Sequence, residues 1–320
     1  MYRIKCPNSD CPKEDRIKGL MDSCFGWIYS DSMRRLIRMF DGSLLSEKLG
    51  RDRKADIDEV HDFVKRWDFR GGKERWEVVD DSFVNDNKET ILAEAALLGM
   101  TNVIDPQTEP DYILPLGGAR MANYDRPMMA KIVVDKYGYG DKTIVALSGT
   151  RPLNDTERPY LEKYAPEDAA TEYDAISAGL EKVFSLEKYE EEYSNNKNPN
   201  LCSAVRKYSN KYKGSNIYSL AAPSSDPDNR RANSYDTFKY LLEHFNIGNG
   251  DKLLLVTSCI YVPFQYLKFM NLAIDGGFEV DCIGTDFPGS ISMSKPSNYL
   301  QEIKGTIDAI YGLYNELVTE

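Results

Sequence analysis

"YILPLGGARMANYDRP", residues 112–127, decides how this chain is read. An apolar run enters a Gly-Gly pair, and two arginines and a proline follow. Such a junction is the place where a buried strand gives way to a helix, and glycine lets other groups approach the backbone closely there.

Working outward, the same pattern repeats. "YILPL" (112–116), "TIVAL" (143–147), "NIYSLA" (216–221), "KLLLVT" (252–257) and "FEVDCI" (278–283) are short β-rich runs with little polar alternation. Strands covered on both faces read this way. Amphipathic segments lie between them. "RPMMAKIVVDKYG" has Pro127 suited to a first helical turn and Gly138 as a stop. "TEYDAISAGLEKVF" sets Tyr173, Ile176, Leu180 and Val183 on one face, and "SYDTFKYLLEHF" does the same with Tyr235, Phe238, Leu242 and Phe245. "PFQYLKFMNLAI" is apolar nearly all round, and a final segment carries Ile303, Ile307, Ile310, Tyr314 and Leu317. Strand–helix repetition predicts an α/β domain over 106–320, with a mainly parallel sheet and helices on both faces. The polar stretch at about 185–215, rich in Tyr, Asn and Lys, reads as a surface insertion in the second crossover.

Residues 1–105 show no such alternation. "IDEVHDFVKRWDF" spaces Ile57, Val60, Val64 and Trp67 helically, and "NDNKETILAEAALLGM" is full of good helix formers. The expectation is a mostly helical N-terminal extension or cap. The whole chain has 320 residues, 28% of them charged, and a net charge of -11. That balance argues against nucleic acid or an anionic membrane as partner. The first residues lack the apolar core of a secretory signal, and no apolar run approaches a membrane span, so a cytoplasmic protein is expected. The six cysteines read as reduced thiols. Cys6 and Cys11 have the spacing of half a zinc site, but no second close pair follows and the only histidines are His61 and His244, so no metal site is expected.

In open parallel sheets ligands sit beyond the carboxyl ends of the strands, near a reversal of strand order. The five loops there are polar or glycine-bearing. They hold Gly117, Gly118 and Arg120, with Arg126 just beyond; Ser148, Gly149, Thr150 and Arg151, with Arg158 beyond; Ser224, Ser225, Asp226, Arg230, Arg231 and Asn233; Thr257, Ser258 and Tyr261; and Asp286. So many guanidinium groups in an acidic protein point to a small anionic ligand in a shared cationic hollow. The alternative is that Arg230 and Arg231 pair with Asp226 and Asp228 at the surface. No G-x-G-x-x-G, no G-x-x-x-x-G-K-[ST] and no G-x-S-x-G occurs at these junctions. His244 falls at a helix end, where it meets the helix dipole. Acid–base chemistry would therefore fall to Glu172 and Asp226, with Tyr261 behind them.

The motifs "ILPLGG", "ALSGT", "TEYDAISAGL", "APSSDPDNRRANSYDTFKYL" and "LLLVTSCIYVPFQYLKFM" resemble, in order, those of the SanA/YdcF/ElyC-like family, a domain of unknown function. The resemblance covers residues 110 to about 290. It matches Gly117 and Gly118, Ser148 and Gly149, Glu172, and Ser224, Ser225 and Asn233. It implies a three-layer Rossmann-like fold and a nucleotide-like ligand, with S-adenosylmethionine as a possible cofactor, since one soluble member is associated with it. Two places depart from the pattern. Arg230 and Ala232 stand where the family has a Thr and an acid, and Tyr261 and Phe264 where it has a His and an Arg. Two further readings stand beside ligand binding: a non-catalytic interaction protein with a vestigial pocket, and a metal-assisted phosphoester hydrolase.

Overall fold

A computed structural model describes residues 1–72, 77–101, 105–194, 196–287 and 295–318. It divides into two compact units. One comprises Met1–Val103, Cys259–Asp275 and Pro288–Glu320; the other comprises Ile104–Ser258 and Gly276–Phe287.

The first unit opens with helices α1 (Lys13–Ile28), α2 (Asp31–Met39), α3 (Ser43–Lys48), α4 (Arg53–Val64), α5 (Ser82–Asp86) and α6 (Lys88–Leu97). The expected helical character of this segment holds. Its caps are ordinary ones: Ser30 accepts from the Met33 N–H and Asp52 from Lys54 and Ala55. Trp27, Trp67, Phe25, Leu36 and Ile57 are fully buried.

The second unit begins with β1 (Tyr112–Pro115), α7 (Ala122–Tyr137), β2 (Thr143–Gly149), α8 (Arg158–Leu161) and α9 (Glu172–Phe184). It continues with β3 (Tyr189–Ser194), β4 (Ser203–Tyr208), β5 (Asn216–Ala222), α10 (Ser234–Phe245), β6 (Lys252–Ser258) and β7 (Glu279–Thr285). All five expected strands are present and all are parallel. The seven-stranded sheet has the order β3-β4-β5-β2-β1-β6-β7. From β1 the chain steps outward to β2 and β5, then returns to the other side of β1 for β6 and β7. Right-handed crossovers running in opposite directions place their helices on opposite faces. The fold is thus α/β and Rossmann-like. One face is sealed by α7 and α9, whose Ala130, Val133, Val134, Ile176 and Leu180 pack on Ile113, Ile144, Ile217, Leu254 and Ile283. Helix α10 packs on β2 and β5.

Four local expectations change. The insertion at 185–215 is a hairpin, β3–β4, which lengthens the sheet by pairing antiparallel with β5. Helix α7 starts before Pro127, which lies in its interior. Helix α10 buries Phe238 and Leu241 in place of Leu242, and Tyr235 is exposed. The apolar segment expected as one helix forms two, α11 (Val262–Lys268) and α12 (Met270–Gly276). Residues 259–275 belong to the first unit, as does the long α13 (Pro296–Leu317), which packs on α4, α6 and α11. Its Ile303, Ile307, Ile310 and Leu313 form the buried stripe. No described helix is long and apolar enough to cross a membrane.

Candidate functional site

Strand order reverses at β1, which lies between β2 and β6. The loop leaving β1 is built by close packing. The Gly117 N–H donates to the Leu147 carbonyl. A side chain on Gly117 would strike Glu172 Oε1 and lie 2.9 Å from the Leu147 oxygen. Glycine is thus required here by crowding, and its φ is not in the left-handed region. Asn123, fully buried, brackets Gly118: its Oδ1 accepts from the Gly118 N–H at 2.9 Å and its Nδ2 donates to the Gly118 carbonyl at 2.7 Å. Arg126 is buried as well. It donates to the carbonyls of Leu116, at 2.7 Å, and Gly117, and reaches Ser258 Oγ at the end of β6 at 3.4 Å. It holds the reversal point together from inside.

Beyond β2, Arg151 turns back onto carboxylates. Its two terminal nitrogens bond both oxygens of Glu157 at 2.8 and 2.9 Å, and its Nε bonds Glu172 Oε2 at 2.9 Å. Glu157 is fully buried and also accepts from the N–H groups of Asn154 and Arg120. Burial opposes ionisation of both partners, yet the mutual bonds win: Glu157 is held below the usual carboxylate range and Arg151 is pushed up. Arg120, at φ 58°, lies over the Tyr160 ring, and Tyr164 donates to its carbonyl at 2.9 Å. Burial raises the Tyr164 hydroxyl, helped by nearby Glu157, Asp125 and Glu172. Asp125, in the first turn of α7, is pushed up to about 6 by burial, which Arg126 only partly offsets.

The loop after β5 is a cap assembly. Asn233 accepts from the N–H groups of Tyr235 and Asp236, and Asp236 answers to the Asn233 N–H. Arg230 bonds both Asp236 oxygens and Ser225 Oγ, and Ser225 bonds Asp236 in turn. Asp236 sits at about 2; burial opposes this, and Arg230 and Ser225 outweigh it. Ser224 Oγ accepts from Asp226 N–H, and Asp226 accepts from Asn229. The turn of the β3–β4 hairpin is fastened to both neighbouring loops. Thr150 donates to the Pro199 carbonyl, Ser224 N–H to the Asn200 carbonyl, and Asn198 and Asn200 to the Pro227 carbonyl. The hairpin forms one wall of the strand-end rim.

The expected residues therefore divide. Gly117, Gly118, Arg126, Glu172, Arg151 and Ser258 gather at the ends of β1, β2 and β6. The shared cationic hollow expected there is not formed by these side chains, because Arg126 and Arg151 are engaged inside the protein, Arg230 pairs with Asp236 at the surface, and Arg158 donates to the carbonyls of Glu167 and Ala169. The surface pairing considered for Arg230 occurs with Asp236 instead of Asp226 or Asp228. Ser148 donates to the Leu220 carbonyl, and the Thr257 side chain is fully buried in the sheet. Gly149 lies beside Ala232, and Arg231 is exposed. Asp286 is exposed after β7, and Tyr261 belongs to the other unit. The residues that sequence reasoning missed are Asn123, Asp125, Glu157 and Tyr164. Two of them lie in the stretch quoted first, but no spacing rule marks a helix residue that folds back on its own glycine loop. Among the described residues, no group of three or more His, Cys, Asp or Glu could hold a metal ion.

Residues 11–99 match the family described as the Rv3785 N-terminal domain. Over nearly its whole length the chain is similar to the uncharacterised proteins Rv3785 of Mycobacterium tuberculosis and Mb3814 of Mycobacterium bovis. Each is 27% identical over 349 residues, covering 98% of this chain and 95% of the relative. No solved structure matches the chain.

Proposed function

We propose that this chain binds a small nucleotide-like ligand, with S-adenosylmethionine the first candidate, at the carboxyl ends of β1, β2 and β5. One observation carries the reading: strand order reverses at β1, and the loop leaving it is a tightly packed Gly-Gly turn with the Glu172 carboxylate standing against Gly117. Ribose hydroxyls suit a carboxylate in that position. With Arg126 and Arg151 engaged internally, the local balance favours a ligand that is neutral or positive near Asp125 and Glu172, as a sulfonium is. An anionic end is left to Arg231, whose guanidinium makes no hydrogen bond or ion pair among the described residues. The resemblance of the strand-end loops to the SanA/YdcF/ElyC-like family supports the same choice. A reducing, cytoplasmic setting fits the six free cysteines.

Thermal unfolding with S-adenosylmethionine, adenosine, ATP and inorganic phosphate tests this. A ligand at a hundred times its Kd stabilises by about 2.7 kcal/mol. S-adenosylmethionine is expected to raise Tm, and Glu172→Gln to remove most of the rise while leaving the circular dichroism unchanged. Absence of any shift with the nucleoside-bearing ligands overturns the proposal.

A further inference from the structure

We propose that the free edge of β3 is a docking site for an extended, lysine- or arginine-bearing segment of a partner protein, which adds to the sheet as a further strand. The inference is independent of the ligand reading above.

The observation is the edge itself. Among the described residues, β3 ends the sheet and pairs only with β4. Its six residues are exposed on both faces. Just before it, the Ser209 N–H donates to the Lys188 carbonyl, which puts 188/209 at a hydrogen-bonded position of the ladder. Antiparallel pairs alternate, so Glu190/Lys207, Glu192/Val205 and Ser194/Ser203 are the doubly bonded pairs within the hairpin. The N–H and C=O groups of Tyr189, Glu191 and Tyr193 therefore point away from β4, as a row of donors and acceptors that no described strand uses. Proteins blunt such edges with proline, bulges or charge; β3, Tyr-Glu-Glu-Glu-Tyr-Ser, has no proline or bulge, and its three glutamates repel an acidic strand while leaving the edge open to a basic one.

The strand is also held ready. Arg206 lies 3.8 Å from the Tyr189 ring centroid and bonds Glu191 and Glu181, and Tyr173 donates to Glu191 at 2.8 Å. Pre-organisation of this kind lowers the entropy cost of adding a strand. Charge selects the occupant. Glu190 and Glu192 share one face, while Tyr189 and Tyr193 share the other. An added strand meets carboxylates on one side and aromatic rings on the other, and lysine or arginine alternating with apolar residues satisfies both. A second copy pairing through the same edge sets Glu190–Glu192 against its own like charges, so self-pairing is disfavoured.

The test uses the full chain with two short synthetic peptides, one alternating lysine and valine and the other alternating glutamate and valine, read by hydrogen exchange and titration calorimetry. The lysine peptide is expected to protect the amides of Tyr189, Glu191 and Tyr193. It should bind at least about tenfold tighter than the glutamate peptide at low salt, with the gap closing as salt rises. Glu192→Lys should shift the preference toward the glutamate peptide. Glu191→Pro removes an outward donor that the β3–β4 ladder does not use, and should abolish binding. The proposal is overturned if neither peptide protects those amides, if lysine-peptide binding survives Glu191→Pro, or if the amides become protected with protein concentration alone, which would make a second copy the occupant.

Discussion

The Arg151 guanidinium grips Glu157 through both carboxylate oxygens, at 2.8 and 2.9 Å, and Glu157 is fully buried. This pair determines how the end of β2 can be used. A guanidinium already matched to a planar carboxylate, with its Nε on Glu172, has little left for a ligand phosphate. Removing Arg151 strands Glu157, whereas removing Glu157 leaves Arg151 with Glu172. Arg151→Ala should cost about 3–5 kcal/mol in denaturant unfolding, because a buried carboxylate loses its counter-ion, and Glu157→Ala should cost less. The double variant should cost much less than the sum. The pH dependence follows from the direction of the shift. The folded-state pKa of Glu157 is depressed, so its contribution is complete above the ordinary glutamate range and is lost as pH falls through the lowered value. Glu157→Gln should therefore differ most from wild type near neutrality and converge on it in acid.

Asp125 has the opposite sign. Burial raises it to about 6, so the fold prefers its neutral form. Stability is greatest below the unfolded-state value near about 4 and declines as pH rises through the folded-state value. Asp125→Asn keeps the shape and removes the titration. It should be more stable than wild type above pH 6, with the advantage gone by about pH 4. Thermal unfolding of both proteins across that range checks this; an advantage that does not vary with pH removes the burial argument.

Helices α7 and α9 meet through Gly179, where a methyl group would overlap the Asn123 carbonyl. That carbonyl is the one a residue at 127 would normally bond, and Pro127 has no N–H to offer. The two features belong together: proline leaves the carbonyl outward, and glycine makes room beside it. Gly179→Ala should destabilise by about 1–3 kcal/mol, the usual cost of overpacking, despite the better helix propensity of alanine. Since Asn123 also brackets Gly118, the same change should weaken any ligand bound at the Gly117–Gly118 turn.

Asp236 is both the reciprocal cap of α10 and the partner of Arg230. Asp236→Asn should cost about 1 kcal/mol through the cap alone, with the lost ion pair adding to it. Its folded-state value of about 2 lies below that of an unfolded aspartate, so its contribution is complete above about pH 4 and fades toward pH 2. Arg230→Ala should reproduce the loss of that pH dependence, as read by acid unfolding.

The expected strands were readable because burial on both faces demands consecutive apolar residues, as in "KLLLVT" for β6. β3 and β4 escaped because β3 is exposed on both faces, and a strand of glutamates and tyrosines carries no such mark. Gly138 was a correct stop, since a left-handed residue at a helix end is a local requirement. Pro127 lies inside α7 instead of in its first turn, because the Asn123 carbonyl it leaves unbonded is accommodated at Gly179.

The amino-acid sequence by itself determined the five parallel strands, their alternation with helices and hence the Rossmann-like α/β class, together with the helical character of the first hundred residues. These rest on periodicity, which each segment carries alone. Tertiary structure decided what the charges do. Arg126 meets Leu116, Gly117 and Ser258, Arg151 meets Glu157 and Glu172, and Arg230 meets Asp236. An arginine looks the same in the sequence whether it awaits a ligand or already holds a carboxylate. Which it does depends on where a distant chain segment puts its oxygens, and only the folded packing sets that distance.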